Sequence, residues 1–185
     1  GAWQVEVIKT AISDVLLLKP RVFEDSRGFF MESFNHAKWQ QETGLDTSFV
    51  QDNHSSSAQG VVRGFHCQMK NVQSKLVRVV SGSIFDVALD LRESSPTFGK
   101  YVSTILSAEN KHQLWVPEGF SHAFMALEDN SEVLYKTTDY YDPESEQCIK
   151  WNDPQLSVNW PDPGVAVLSE KDSSAVLFAD AKYFK

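Results

Sequence analysis

Residues 75–91 read KLVRVVSGSIFDVALDL, two runs of apolar and β-branched residues separated by Ser81-Gly82. Such residues favour strands, and a glycine between two runs of this kind is typical of a hairpin turn. We therefore predict that residues 75–91 form two antiparallel strands joined by a tight turn.

Similar runs lie on both sides of this segment. Pro117-Glu118-Gly119 predicts a turn before the strand that carries Ser121 and His122. The further runs are FVQDNHS (49–55), VVRGFHCQ (61–68), YVSTILS (101–107), QLWVP (113–117), HAFMAL (122–127) and EVLYKTTDYY (132–141). Short strands spaced by roughly 8–12 residues favour an antiparallel sandwich or barrel. We predict an all-β, jelly-roll-like antiparallel double sheet with a ligand cavity between the sheets.

Helix is predicted at only two places. Asn35 is a suitable N-cap for a helix over residues 35–43. Ser169-Glu170-Lys171-Asp172 matches a capping box at the start of a second short helix. On this interpretation, Asp172 is a helix-capping acid.

Composition limits the class of protein. The 185 residues, 42% of them hydrophobic, are enough for a real core, and no linker divides them, so we expect a single domain over residues 1–185. A net charge of -8 opposes binding to nucleic acid and to anionic membranes. Apolar runs are too short to cross a bilayer, and Cys67 and Cys148 are too few for a disulfide framework. We expect a soluble cytoplasmic protein that binds neither nucleic acid nor membrane.

The five histidines disfavour a metal site. Jelly-roll metal sites usually take two ligands from alternate positions of one strand, and no H-x-H or H-E-x-x-H motif occurs here. We therefore predict that no metal is bound. Chemistry without metal needs a histidine base, a carboxylate that orients it, a lysine near anionic oxygen and a tyrosine acid.

His66 is the first candidate base, in the segment VRGFHCQ at residues 62–68. On a regular strand Arg63 and His66 lie on opposite faces, so both reach one ligand only if the strand bulges, for which Gly64 is suited. Without that ligand, His66 is an ordinary half-buried histidine with a satisfied ring. Tyr135 and Lys75 have similar alternatives, as a packed strand tyrosine and a solvated lysine. The residues alone leave these alternatives open.

A series of motifs along the whole chain resembles the dTDP-4-dehydrorhamnose 3,5-epimerases of bacterial rhamnose synthesis. They are FEDSRGFFMESFN (23–35), FVQDNHS (49–55), VVRGFHCQ (61–68), KLVRVVSGSIFDVALDLR (75–92), SPTFGK (95–100), LSAENKHQLWVPEGFSHAF (106–124), EVLYKTTDYYDP (132–143) and IKWND (149–153). The resemblance implies a cupin-like jelly roll that forms a homodimer, needs no cofactor and acts on a dTDP-linked 4-keto-6-deoxyhexose. It also implies inversion of carbons 3 and 5 of the sugar.

The resemblance assigns roles by position. His66 matches the catalytic base, Asp172 its orienting carboxylate, Tyr135 the acid, and Lys75 the lysine near the keto oxygen. Substrate-binding positions match Arg27, Glu32, Gln51, Asp52, Asn53, Arg63, His122, Tyr140, Tyr141, Glu146 and Lys171, some of them expected to act across the dimer. Three other functions stay open: an epimerase that inverts one carbon, a non-catalytic sugar- or nucleotide-binding sandwich, and a metal-dependent oxygenase, which the missing H-x-H motif disfavours.

Overall fold

The chain forms two antiparallel sheets packed face to face in a computed structural model that describes residues 5–185. The strands are β1 (Val5–Lys9), β2 (Leu16–Pro20), β3 (Phe23–Asp25), β4 (Gly28–Phe30), β5 (Gln51–Ser57), β6 (Val62–Gln68), β7 (Lys75–Ser81), β8 (Ser83–Asp90), β9 (Tyr101–Ser107), β10 (Gln113–Val116), β11 (Phe120–Ala126), β12 (Ser131–Thr137) and β13 (Glu146–Cys148). The helices are α1 (His36–Thr43) and α2 (Glu170–Ser173), with single 3-10 turns at Pro163–Val165 and Phe178–Asp180. The predicted all-β jelly roll is confirmed.

In the part of the chain that the structure describes, the two sheets contain six and five strands. The first has the order β1-β2-β10-β7-β12-β5, and the second has the order β13-β6-β11-β8-β9. The strands β3 and β4 form a separate two-stranded hairpin. The strand β1 lies at an edge of the first sheet, and β13 lies at an edge of the second.

The predicted hairpin at Ser81-Gly82 is wrong, although both of its strands exist. The strand β7 pairs with β10 and β12, whereas β8 pairs with β9 and β11, so the chain changes sheets at Gly82. Gly82 has a φ of 71°, and a Cβ there would lie 2.5 Å from the Ser131 hydroxyl oxygen. Gly82 therefore allows a tight turn that carries the chain from one sheet to the other, instead of a turn within one sheet.

Three apolar clusters within residues 5–185 hold the layers together. The cluster between the sheets includes Val77 and Val133 from the first sheet and Phe124 from the second. The outer face of the first sheet is covered by Trp39 of α1. The outer face of the second sheet packs against the C-terminal segment, residues 149–184, through Trp151, Leu156, Trp160 and Phe178.

The C-terminal segment is tied to the second sheet by backbone as well as by side chains. Isolated parallel bridges join Val61 to Val167, Ile149 to Val176 and Arg92 to Phe184. This segment carries α2, whose N-cap Ser169 accepts a hydrogen bond from the backbone N–H of Asp172. No helix within residues 5–185 is long and apolar enough to cross a membrane.

Candidate active site

An irregularity in β6 brings its polar residues into the interior. The pairing of β6 with β11 shifts between His122–His66 and Phe124–Arg63, so β6 has one extra residue, as the bulge prediction requires. Gly64 has a φ of 109°, and a Cβ there would lie 2.3 Å from the carbonyl oxygen of His122. Only glycine fits this close approach of the two strands without displacing them.

His66 and Asp172 form a hydrogen-bonded pair although 106 positions separate them. His66 Nε2 lies 2.6 Å from Asp172 Oδ1, and the backbone N–H of Gly64 donates to Asp172 Oδ2 at 3.2 Å. Asp172 is 4% exposed, whereas the His66 side chain is 29% exposed. Burial raises the pKa of Asp172, but the hydrogen bond and charge of His66 and the Gly64 N–H outweigh it, so the pKa is lowered overall.

The state of this pair follows from these contacts. An ionised carboxylate only accepts hydrogen bonds, so His66 Nε2 carries the hydrogen and Nδ1 has the free lone pair. The capping-box interpretation of Asp172 is therefore half right. Its backbone N–H is capped by Ser169, but its side chain orients His66.

Cys148 completes the surroundings of this carboxylate. It lies opposite His66 in the β13–β6 pairing, and its Sγ is 3.4 Å from Asp172 Oδ1. Burial and the adjacent negative charge of Asp172 raise the pKa of the Cys148 thiol. The thiol therefore donates its hydrogen to the carboxylate.

A second histidine–carboxylate pair lies beside the first. His122 is the cross-strand partner of His66, and His122 Nε2 is 2.6 Å from Asp86 Oδ1. Both His122 and Asp86 are buried. Asp86 Oδ2 has no hydrogen-bond partner among residues 5–185.

Lys75 and Tyr135 face these histidines from the first sheet. The ring centroids of His122 and Tyr135 are 6.5 Å apart, and Lys75 Nζ lies 5.4 Å from the centroid of the Tyr135 ring. Burial lowers the pKa of Lys75, which is 8% exposed, although the charges of Cys67, Glu146 and Asp86 oppose that effect. Burial raises the pKa of Tyr135. The solvated-lysine alternative is therefore wrong, because the ammonium group lies inside the sandwich.

Several of the predicted binding residues surround this group. Glu146 pairs with Lys171, and its charge acts on Lys75, Tyr135 and Cys148. Asn53 is the cross-strand partner of Tyr135 and acts to lower its pKa, and Arg63 contributes a positive charge to the same tyrosine.

The outer part of the site carries aromatic and polar side chains. Tyr140 and Tyr141 are 64% and 56% exposed, and Gln51 Oε1 accepts from the backbone N–H of Tyr141. Asp52 is also exposed and pairs with Lys136. These rings are available for stacking on a flat ligand.

Two predicted binding residues lie apart from this group within one chain. Arg27 is in the β3–β4 hairpin, where its exposed guanidinium pairs with Asp25. Glu32 accepts a hydrogen bond from Asn35, the N-cap of α1. Among the described residues, neither side chain makes a hydrogen bond or an ion pair with His66 or Asp172.

Sequence reasoning missed Asp86, Cys148 and the carboxylate-binding role of the Gly64 N–H. The alternation in SIFDVALD offered one signal, because a charged Asp86 shares a face with Ile84 and Ala88 in an otherwise buried strand. A buried charge is costly unless it is paired, so this position indicated an inward-facing partner.

Comparison with known proteins identifies the family. The family model described as dTDP-4-dehydrorhamnose 3,5-epimerase matches residues 9–180. The chain belongs to the dTDP-4-dehydrorhamnose 3,5-epimerase family. A Pseudomonas aeruginosa family member named dTDP-4-dehydrorhamnose 3,5-epimerase is 53% identical over 97% of this chain and 99% of its own length.

Solved structures of similar proteins agree with this family membership. An epimerase from Legionella pneumophila, solved in complex with dTDP-4-keto-L-rhamnose, has a TM-score of 0.94 and 45% identity, covering 97% of this chain and 95% of that one. A 3'-monoepimerase from Streptomyces bikiniensis, solved with dTDP-quinovose, has a TM-score of 0.87 and 30% identity, covering 92% and 87%.

Proposed function

We propose that this chain is a 3,5-epimerase that converts dTDP-4-dehydro-6-deoxy-D-glucose into dTDP-4-dehydro-L-rhamnose, within a single domain and without a cofactor. The observation that carries the proposal is the His66–Asp172 pair, which shares one interior with Tyr135 and Lys75 on the opposite sheet. Membership of the epimerase family and 53% identity to a member of that name support the substrate.

His66 is the base in this proposal. Carbons 3 and 5 both adjoin the 4-keto group, so the same carbonyl acidifies the proton on each carbon. His66 Nδ1 has the free lone pair and removes the proton, while Asp172 stabilises the imidazolium that results. One base can therefore serve both inversions.

Lys75 stabilises the enolate. Proton removal places negative charge on the keto oxygen, and a cation inside a water-poor interior interacts with that charge more strongly than one in water. Lys75 is buried and lies close to Tyr135. The keto oxygen of the bound sugar then replaces the water that the Lys75 ammonium lost when the chain folded.

Tyr135 returns a proton from the face of the sugar opposite His66. The two residues are on different sheets, so a sugar bound between them presents one face to each. The raised pKa of Tyr135 keeps its hydroxyl protonated at neutral pH. Inversion follows because abstraction and reprotonation occur on opposite faces.

The nucleotide lies over the outer part of the site. Tyr140 and Tyr141 supply exposed rings for thymine, and Arg63 and Lys171 supply positive charge for the diphosphate. These residues place local positive charge in a chain whose net charge is -8.

The proposal includes a homodimer in which the β3–β4 hairpin completes the partner's site. Phe29 and Phe30 of this hairpin are 59% and 71% exposed, and Arg27 beside them carries a side chain that is 88% exposed. Exposed rings on a small hairpin favour burial against a second copy. Arg27 would then bind the diphosphate across the interface.

Deuterium exchange during turnover tests the roles of base and acid. The dTDP-linked 4-keto sugar is incubated in deuterated buffer, and NMR follows label and configuration at carbons 3 and 5. We expect His66→Ala to abolish both inversion and exchange, because no enolate forms. We expect Tyr135→Phe to slow inversion by roughly 10²–10⁴-fold while exchange on the original face persists.

The matched control is His36→Ala, which removes an exposed histidine at the start of α1 and leaves the sandwich unchanged. Exchange by His66→Ala, or equal loss of exchange in Tyr135→Phe, contradicts the assignment of roles. A wild-type product inverted at only one carbon contradicts the 3,5-epimerase proposal and favours the activity named for the 30% identical Streptomyces bikiniensis protein.

A further inference from the structure

We propose that His66, Asp172 and Cys148 bind a thiophilic divalent cation such as Zn²⁺, and that the bound ion reversibly inhibits the epimerase. The loss of activity, though not the binding itself, rests on the proposed function of His66 as the base. The three residues come from β6, α2 and β13, and one ligand atom from each lies within 4.8 Å of the other two.

The distances fit a tetrahedral ion after one small movement. Zinc bonds of about 2.0–2.3 Å place neighbouring ligand atoms of a tetrahedron roughly 3.4–3.6 Å apart. Cys148 Sγ and Asp172 Oδ1 are already 3.4 Å apart. His66 Nε2 is 2.6 Å from Asp172 Oδ1, so the imidazole must withdraw by less than about 1 Å to admit the ion.

The ligand types also suit zinc. Zinc binding releases the thiol proton of Cys148 to solvent, so the ligands are a thiolate, an imidazole and a carboxylate, all of them common for zinc. Three protein ligands leave the fourth position to water. The Gly64 N–H holds the second oxygen of Asp172 and limits rotation of the carboxylate. Such outer hydrogen bonds orient ligands in established metal sites.

A groove along β13 gives solvent access to Cys148, one of the three ligands. It has a volume of about 640 Å³, and Cys148 is among its lining residues. Its charged lining consists of Asp142, Glu144, Glu146 and Asp180 with Lys70, Lys171 and Lys182. One of these lysines, Lys171, is paired with Glu146, and the charge that remains attracts cations. An ion can therefore reach Cys148 through this groove, whose lining shares Glu146 and Lys171 with the proposed binding site of the substrate.

Occupancy removes the base by changing the tautomer of His66. In the free enzyme Nε2 carries the hydrogen and Nδ1 has the free lone pair. An ion bound at Nε2 displaces that hydrogen, and the neutral imidazole then carries its hydrogen on Nδ1. The nitrogen that faced the sugar becomes a donor, so the ion lowers kcat without occupying the sugar site.

This site differs from the metal centre that the histidine spacing argues against. An H-x-H motif places two ligands on one strand, whereas these three ligands, at positions 66, 148 and 172, lie on three different elements. The reaction itself needs no metal in our proposal. The bound ion is an inhibitor, and a chelator restores activity.

Cobalt spectroscopy and zinc titration test the proposal on the wild-type chain. We expect Co²⁺ to bind one per chain with a thiolate-to-cobalt charge-transfer band, which reports Cys148 directly. We expect Zn²⁺ to displace the cobalt, to lower kcat with little change in KM, and to be reversed by EDTA. Cobalt binding without the charge-transfer band, or zinc that raises only KM, overturns the proposal.

Two cysteine variants provide the matched comparison. Cys148→Ser retains a donor to Asp172 but loses the thiolate, and we expect its zinc affinity to fall at least about tenfold. Cys67→Ala removes the other cysteine, which is buried on the outer face of the second sheet, and we expect unchanged zinc affinity. Equal zinc inhibition of wild type and Cys148→Ser overturns the proposal.

The proposal and the proposed function fail in different ways. A chain that shows the cobalt band but never epimerises the sugar keeps the metal site and refutes the activity. A chain that epimerises but binds neither ion at micromolar concentration keeps the activity and refutes the metal site.

Discussion

Gly64→Ala tests whether the bulge in β6 builds the site. The added Cβ would lie 2.3 Å from the backbone carbonyl oxygen of His122 and 2.8 Å from the Cα of Ala123. Both neighbours are in a buried strand, so neither moves without distorting the second sheet. The φ of 109° is strained for any residue with a Cβ.

Three terms set the size of the effect. Backbone strain of this kind costs about 1–3 kcal/mol, and overpacking against rigid neighbours costs a further 1–3 kcal/mol or so. If β6 shifts to relieve the clash, the bond from the Gly64 N–H to the Asp172 carboxylate is lost, for about 1.5–3 kcal/mol. The second and third terms are alternatives, so the strain plus either one comes to about 2–6 kcal/mol. That is a large part of the whole free energy of unfolding of many domains.

Gly44→Ala is the matched control. Gly44 ends α1 with a φ of 72°, and a Cβ there would meet no atom within 4 Å. This variant retains the strain and omits the clash, so we expect a loss of only about 1–2 kcal/mol.

Urea unfolding followed by circular dichroism measures both variants, and deuterium exchange measures the base. We expect Gly64→Ala to unfold at much lower urea than Gly44→Ala, or to fail to fold, and to lose exchange in any folded fraction. If the two variants unfold within about 1 kcal/mol of each other, the close approach at Gly64 does not hold the strands as argued.

Five further outcomes are expected. Asp172→Asn removes the charge that supports the imidazolium, so kcat should fall by roughly 10²–10⁴-fold, and an unchanged kcat would contradict its orienting role. The same variant should lose less stability than wild type between pH 5 and pH 3. In wild type, the lowered pKa of Asp172 means that its ionised carboxylate stabilises the fold at pH values above 3.8, the unfolded pKa, and this stabilisation is lost as pH falls. In a pH series, kcat should fall as pH rises, and the fall should occur at a pH below 10.5, the ordinary pKa of lysine, because burial lowers the pKa of Lys75. Tyr135, whose pKa is raised, stays protonated over that range. Lys75→Arg should move the fall of kcat to higher pH. Sedimentation should give a dimer at micromolar concentration and a weaker one for Phe30→Ser, and EDTA should leave turnover undiminished in metal-free protein.

The strands were predictable because their signals are local. The strands β5 through β12 were found from apolar runs and turn residues, and both helices were found from Asn35 and Ser169. The short β13 was missed because three residues without clear alternation give too little pattern. The hairpin prediction at Ser81-Gly82 was wrong because the local sequence is ambiguous. Gly82 is compatible with a turn within one sheet and with a turn between two sheets.

From the residues alone the site was predictable in residue type but not in pairing, and the assignment of Asp172 to His66 came from the family resemblance. His66 and Asp172 are separated by 106 positions, and no periodicity connects them. The capping motif around Asp172 offered a sufficient local explanation of that acid and concealed its second role, as the carboxylate that orients His66. Long-range pairing of this kind depends on the path of the C-terminal segment over the second sheet, which the local sequence does not specify.

That path has a consequence for the timing of activity during synthesis. A ribosome releases the chain from its N-terminus, and the strands of both sheets precede residue 149, whereas the carboxylate that orients His66 belongs to the covering segment. A nascent chain that has extruded both sheets therefore still has an unsupported imidazole and an uncovered apolar face. On the proposed mechanism, the same C-terminal segment therefore completes the catalytic pair and covers the apolar face of the second sheet.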